Sequence, residues 1–299
     1  MIAKIFRSTR CGIAAIGAGV CIASSFSFAQ AEESRLDKMI SPAFHPVTFE
    51  DPRALSEARL LYVYHDIDEG FVTEGGDTNV YALQLRYALS DRLSLIATKD
   101  GYVDLNPKAA VPKDEGFADV EAGLKYAVYK DDANGAIVSA ALRYLIPLGD
   151  EEVFQGQGDG EVHPSLSAAY ALTDTCTLTA GTGLRIPVDS SDSMFWDTDL
   201  QLDHRIDMGT MALYPLVGMS FVHVGRDGNR LPINDEGEDF FNFGSSNAKG
   251  ETMVVGAAGA RVRVSQNLDL GAAFQFPVDR DEGTQILDYR WTFDAIVKF

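Results

Sequence analysis

The chain has 299 residues, 46% of them hydrophobic, and 25 basic residues stand against 44 acidic ones for a net charge of −19. So acidic a protein repels nucleic acid and anionic surfaces, which excludes nucleic-acid partners and leaves cations and neutral molecules. Three cysteines, two of them near the start, exclude a disulfide framework.

Residues 1–31 read as a cleaved export signal. Lys4, Arg7 and Arg10 form a basic start, residues 11–28 are apolar and small, and Ser27, Ala29 and Ala31 offer a small-residue cleavage site near 29–31. The run is too short and too rich in Gly and Ser for a comfortable spanning helix. Cys21 follows Val20, where a lipoprotein signal has a smaller residue. Cleavage removes three cations and no acid, so the mature charge is −22, and Cys176 stays alone.

Residues 32–56 contain Pro42, Pro46 and Pro52, which break helix and strand alike. They read as a periplasmic arm or a lumen insert. From residue 57 the pattern changes to period two. Ala118, Val120, Ala122, Leu124, Tyr126 and Val128 alternate with Asp119, Glu121, Gly123, Lys125 and Ala127. Successive strand side chains point to opposite faces, so one face is apolar and the other polar. Repeats of this pattern predict strands near 57–66, 79–89, 93–104, 117–130, 135–148, 162–173, 176–188, 194–205, 209–224, 251–265, 268–279 and 286–298. Short connections alternate with long ones, as in a membrane barrel with short periplasmic turns and long outer loops. The expected fold is therefore all-β: a transmembrane antiparallel up-and-down β-barrel of about twelve strands, over residues 57–299.

A soluble sandwich or lipocalin-like barrel also alternates. Strand length, mid-strand charge on the polar face and aromatics near strand ends (Tyr87, Tyr126, Tyr129, Tyr144 and Tyr170) favour the membrane barrel.

The last segment alternates Tyr289, Trp291 and Phe293 outward and stops at Phe299. It resembles the C-terminal signal by which the outer-membrane assembly machinery recognises its clients in Gram-negative bacteria. Residues 117–188 carry a second likeness. Gly116, Asp119, Gly123, Lys125 and Tyr126 precede a strand that ends Ile146-Pro147-Leu148-Gly149. This is similar to the outer-membrane family named for the MetA pathway of phenol degradation. The resemblance implies passage of small, often hydrophobic or aromatic, molecules through a channel or uptake barrel.

By strand parity Arg86, Glu121, Lys125, Arg143, His163, Arg185, Asp197, Asp199, Arg261, Arg263, Asp269, Arg290 and Asp294 point into the lumen, as candidates for lining a transport path. Arg263 should face Asp269, and Glu121 should face Arg143. At twelve strands the lumen lies between filled and open barrels. Inward Gly181, Gly183 and Gly271 favour a narrow pore over a plugged interior, and the mixed charges oppose strong ion selectivity. His163 and Ser165 share a strand face, as in an outer-membrane lipase, which makes a lipase-like enzyme the second reading, but parity turns them into the lumen beside Arg185, and no catalytic role is assigned. Acidic outer loops at 66–77, 150–161 and 235–239 form a solvated rim or hold cations that bridge lipopolysaccharide. Gly156, Gly158 and Gly160 lack the helix a phosphate cradle needs. Five scattered histidines predict no metal site, and no cofactor motif is present. Expected partners are outer-membrane lipids with lipopolysaccharide, the assembly machinery and small solutes. A closed, structural or adhesive barrel is the third reading.

Overall fold

The computed structural model describes residues 34–278 and 286–299. The export-signal reading lies outside the described residues, as does the connection at 280–285. Fifteen strand segments form one antiparallel sheet. They are β1 (Glu57–Ile67), β2 (Gly76–Ala88), β3 (Leu93–Lys99), β4 (Tyr102–Pro107), β5 (Asp114–Phe117), β6 (Val120–Asp131), β7 (Ala136–Ile146) and β8 (Glu161–Ala171). There follow β9 (Cys176–Pro187), β10 (Met194–His204), β11 (Ile206–Met208), β12 (Met211–Arg226), β13 (Thr252–Ser265), β14 (Leu268–Pro277) and β15 (Leu287–Lys298). The segments β3 with β4, β5 with β6, and β10 with β11 each run on as one barrel strand, which makes twelve. The first and last strands pair, Glu57 opposite Lys298 through Tyr64 opposite Trp291, so the sheet closes on itself. No described helix is long and apolar enough to cross a membrane.

The polarity is inverted relative to a soluble protein. In β9, Thr177, Thr179, Gly181, Gly183 and Arg185 are buried inside, while Leu178 and its alternates face out. Leu60, Leu142 and Val217 lie on the outer wall at 57%, 58% and 55% exposure. Trp291, Phe293 and Phe299 are exposed there too, with Tyr289 half-buried beside them. An apolar belt right round a closed sheet far exceeds the patches water tolerates, and lipid is the solvent that suits it. Strands of ten residues or more are long enough to cross a tilted bilayer path.

The structure corrects the sequence reading at several places. The strands expected at 93–104 and 117–130 are each interrupted, the first at Asp100-Gly101 and the second at Ala118-Asp119. Gly101 has φ +121°, and a Cβ there would meet the Tyr81 carbonyl oxygen at 2.4 Å, so only glycine fits. The carboxylate of Asp100 accepts a hydrogen bond from Leu83 N at 2.9 Å and repairs the broken ladder. A bulge at Ala127–Tyr129 moves the next register, so Glu121 sits opposite Leu145 and Gly123 opposite Arg143. Tyr144 belongs to the long-loop end of the barrel, where its hydroxyl donates to the Asp159 carbonyl.

A charge placed on the lipid-facing wall tests the inverted polarity. Leu142→Arg at mid-strand is expected to lower unfolding stability by about 2–4 kcal/mol in lipid vesicles, measured by denaturant titration. A wall wetted by buffer would show almost no loss.

Candidate functional site

The interior is occupied. Residues 39–53 are all buried, and they form an arm that enters at the short-turn end, rises into the lumen and returns. Arg35 holds its base against Asp174 in the turn after β8, at 2.7 Å. The arm reverses at His45, which has φ +46°, and Phe49 N closes the turn onto the His45 carbonyl at 2.9 Å. Arg53 ties the two limbs together by donating to the carbonyls of Leu36 and Met39 at 3.0 and 2.8 Å, while it pairs with Asp51 at 2.6 Å.

Three prolines deny the arm a regular ladder, so its carbonyls need donors from elsewhere. The wall supplies them from all sides. Arg143 of β7 donates to Val47 O at 2.6 Å, and Gln84 of β2 to Pro46 O at 2.7 Å. Lys125 of β6 donates to Asp51 O, and Ser139 of β7 to Pro52 O. Arg261 and Arg263 of β13 reach Pro42 O at 3.4 Å and Met39 O at 2.8 Å. Tyr214 of β12 donates to Lys38 O at 2.9 Å.

Charge locks the arm as well. The Glu50 carboxylate pairs with Arg86 at 2.6 Å and with Lys125 at 2.7 Å. Burial would raise the Glu50 pKa, but the two cations outweigh it and hold it down to about 2. Apolar arm residues fill the remaining gaps. A Cβ at Gly181 would meet the Phe49 ring at 3.0 Å, and one at Gly218 would lie 2.1 Å from Phe44. The glycines read as room for a pore are room for other side chains. Gly271 likewise makes space for Asp294, which would lie 2.4 Å from its Cβ, and Gly183 for His163 at 2.8 Å. The narrow open pore expected from the sequence is therefore corrected to a filled lumen.

All thirteen candidate lumen residues are buried inside the wall. Asp294 accepts from Arg261 and from Arg59, each within 2.8 Å. Asp269 pairs with Arg263 at 3.1 Å and Lys298 at 2.8 Å. Arg185 and Asp197 form a two-pronged pair at 2.8 Å on each prong, with the guanidinium 4.0 Å from the Phe195 ring centre. Glu121 does reach Arg143 at 2.9 Å, diagonally rather than directly across. His163 lies between Glu121 at 3.1 Å and Arg143 at 2.9 Å, and Ser165 accepts from the same Arg143 at 3.4 Å. The pair expected beside Arg185 thus belongs to the Arg143 network. Arg59, Glu57 and His65 were missed, although the parity of β1 places them inward. Glu50, Asp51 and Arg53 carried no periodic signal.

From the long-loop end a second element descends. Residues 227–251 form a lid whose Glu236 carboxylate accepts from Phe243 N and Ser245 N at 2.9 and 2.7 Å. Its own Phe240, Phe241 and Phe243 are buried, and so are Glu236, Glu238 and Asp239. That acidic loop is not the solvated rim the sequence suggested. Its tip reaches the apex of the arm: Glu238 lies 3.9 Å from the His45 ring, and Arg290 of β15 pairs with both Glu238 and Asp239. Burial disfavours a charged ring, yet Asp239, Asp199 and Glu238 together push the His45 pKa up to about 9. Gaps between arm and lid are water-sized, about 20 Å³ and 10 Å³. Above them lies an apolar chamber of about 200 Å³, lined by Phe71, Leu105, Val111, Phe154, Leu231, Ile233, Phe241 and Phe243.

Fold and interior define an outer-membrane-type β-barrel closed by an internal plug and a lid. Comparison with solved structures supports the fold. The chain is similar to the COG4313 outer membrane channel from Pseudomonas putida F1, with a TM-score of 0.55 and 15% identity, over 87% of this chain and 100% of that one. The NanC porin is more distant, at a TM-score of 0.47 and 10% identity over 82% and 98% of the two chains. No family model and no curated protein sequence matches the chain.

Removing Glu50 tests the lock. Glu50→Ala leaves Lys125 buried without its carboxylate, and Arg86 only the more distant Glu57 at 3.6 Å. A broken buried pair costs about 3–5 kcal/mol, so the arm is expected to undock and become sensitive to limited proteolysis. Acid should act alike. Because the Glu50 pKa falls on docking, its contribution is present above pH 4.5 and is lost as pH drops towards 2. Proteolysis across that window should show release in the native chain and a weaker pH response in Glu50→Gln.

Proposed function

We propose that this protein is an outer-membrane channel for passive passage of small molecules, hydrophobic or aromatic ones among them. The observation that carries the reading is the apolar chamber at the long-loop end. A dry apolar cavity of about 150 Å³ holds benzene, and this chamber of about 200 Å³ suits a single-ring aromatic. It opens among the loops and has the lid phenylalanines and, beyond them, the plug as its floor. Transit requires the plug or the lid to move, because the gaps below admit only water. The plug is built for that: it belongs to no strand, so it can leave without breaking the barrel ladder. The resemblance to the MetA-pathway family points to the same substrate class. Export through a cleaved leader, insertion by the assembly machinery at the last strand, and an acidic rim against lipopolysaccharide complete the proposal.

A closed structural barrel whose loops bind a partner is the second reading, and the sealed lumen favours it. Planar-bilayer recordings separate the two. Removing residues 34–53 is expected to raise single-channel conductance several-fold over the native chain, with native openings rare. A barrel whose conductance stays at baseline without the arm would end the channel reading. Independently, Phe243→Asp should abolish binding of a single-ring aromatic to the detergent-purified protein, measured by calorimetry.

A further inference from the structure

The apex of the plug and the tip of the lid meet at a buried cluster that the transport path does not use. We propose that His45, Glu238 and Asp239 bind one divalent transition-metal ion of the zinc type, which clasps the plug to the lid. One donor atom from each of the three lies within 4.8 Å of the others. All three side chains are almost wholly buried, at 0–2% exposure.

Their orientation leaves the donors open. Arg290 engages one oxygen of each acid, Glu238 Oε2 at 2.6 Å and Asp239 Oδ1 at 2.7 Å. Both Glu238 oxygens, Asp239 Oδ2 and both ring nitrogens of His45 have no hydrogen-bond partner among the described residues. Buried polar atoms without partners are costly, and their grouping here, with one donor atom of each residue within 4.8 Å of the others, marks a place for a ligand. The ring nitrogen Nδ1 lies 3.1 Å from Asp199 Oδ1. In the tautomer with its proton on Nδ1, that proton lies on the Asp199 side, which leaves the Nε2 lone pair on the side of Glu238, whose Oε2 is 3.9 Å away. An acid behind an imidazole is the arrangement that orients histidine towards a metal.

Charge and donor type agree. Three carboxylates, those of Asp199, Glu238 and Asp239, surround one guanidinium and one imidazole, so the cluster lacks positive charge. One nitrogen and two oxygens suit zinc or a similar ion, whereas calcium and magnesium take oxygen sets of six or more. Tetrahedral donors with bonds of about 2.1 Å sit roughly 3.4 Å apart, so the loop-borne acids close in by about an ångström. The donors come from two segments that meet only when plug and lid are both seated. An ion bound there stabilises the closed form and no other.

The rival occupant is a proton on His45, and metal titration distinguishes them. Detergent-purified protein, stripped with EDTA and titrated with zinc, is expected to bind about one ion per chain, and cobalt in its place should give the visible bands of a four- or five-coordinate nitrogen–oxygen site. His45→Ala and Asp239→Asn should lose the site, while Asp199→Asn weakens it roughly 10–100-fold by disorienting the ring. His223→Ala, at a half-buried site at the loop end against Thr252, should bind as the native chain does. Equal binding by native protein and His45→Ala, or none by either, would overturn the proposal and leave the proton in place. Should a variant fail to fold, the cobalt spectrum of the native protein decides alone, and its absence rejects the site. None of these readouts depends on whether the barrel conducts.

Discussion

The structure depends on one constraint: an irregular chain lies inside a membrane-spanning cylinder, and its backbone must find partners there. The arm's amides and carbonyls form no continuous ladder, because Pro42, Pro46 and Pro52 interrupt it. The gaps between arm and lid are only water-sized. The donors therefore come from the barrel wall, from Arg143, Arg261, Arg263, Gln84, Lys125 and Tyr214. Irregular backbone is tolerated at membrane depth only when it is wrapped in protein in this way. The excess of long inward donors on this barrel follows from that need.

The same constraint explains the charges. An inward carboxylate or guanidinium would be expensive if the lumen were dry and the group unpaired. Here Asp294 satisfies two arginines, and Glu50 satisfies an arginine and a lysine from neighbouring parts of the wall. Such pairs contribute little net stability over a packed apolar core, but they are specific. A carboxylate presented by the arm fits only one place among the cations, which sets the arm's register in a cylinder that has none of its own.

Closure is shared between two ends of the chain. The arm rises from the short-turn end and the lid descends from the long-loop end, and they meet around His45, Glu238 and Arg290. The arm is anchored to the wall along its length, and it meets the lid at its apex. Opening can therefore begin at either side without unfolding the barrel, whose strands are joined by a complete ladder. The apolar chamber lies on the lid's side of this junction, so a solute would meet the lid phenylalanines before the plug.

The sequence by itself determined the barrel. Period-two alternation puts Leu124 and Lys125 on opposite faces whatever lies beyond, and alternating short and long connections leave a closed up-and-down sheet as the arrangement that hides every edge. Parity likewise sent Arg185, Asp197 and Arg261 inward. What the tertiary structure decided was what those residues touch. Alternation specifies a face and not a partner, so an open lumen and a filled one have the same pattern on the wall. The arm carries no period, which hid Glu50 and Arg53. Inward glycines look alike whether they leave a hole or receive Phe44 and Phe49. His45 and Glu238 are far apart along the chain, and only folding from both ends of the cylinder brings them together.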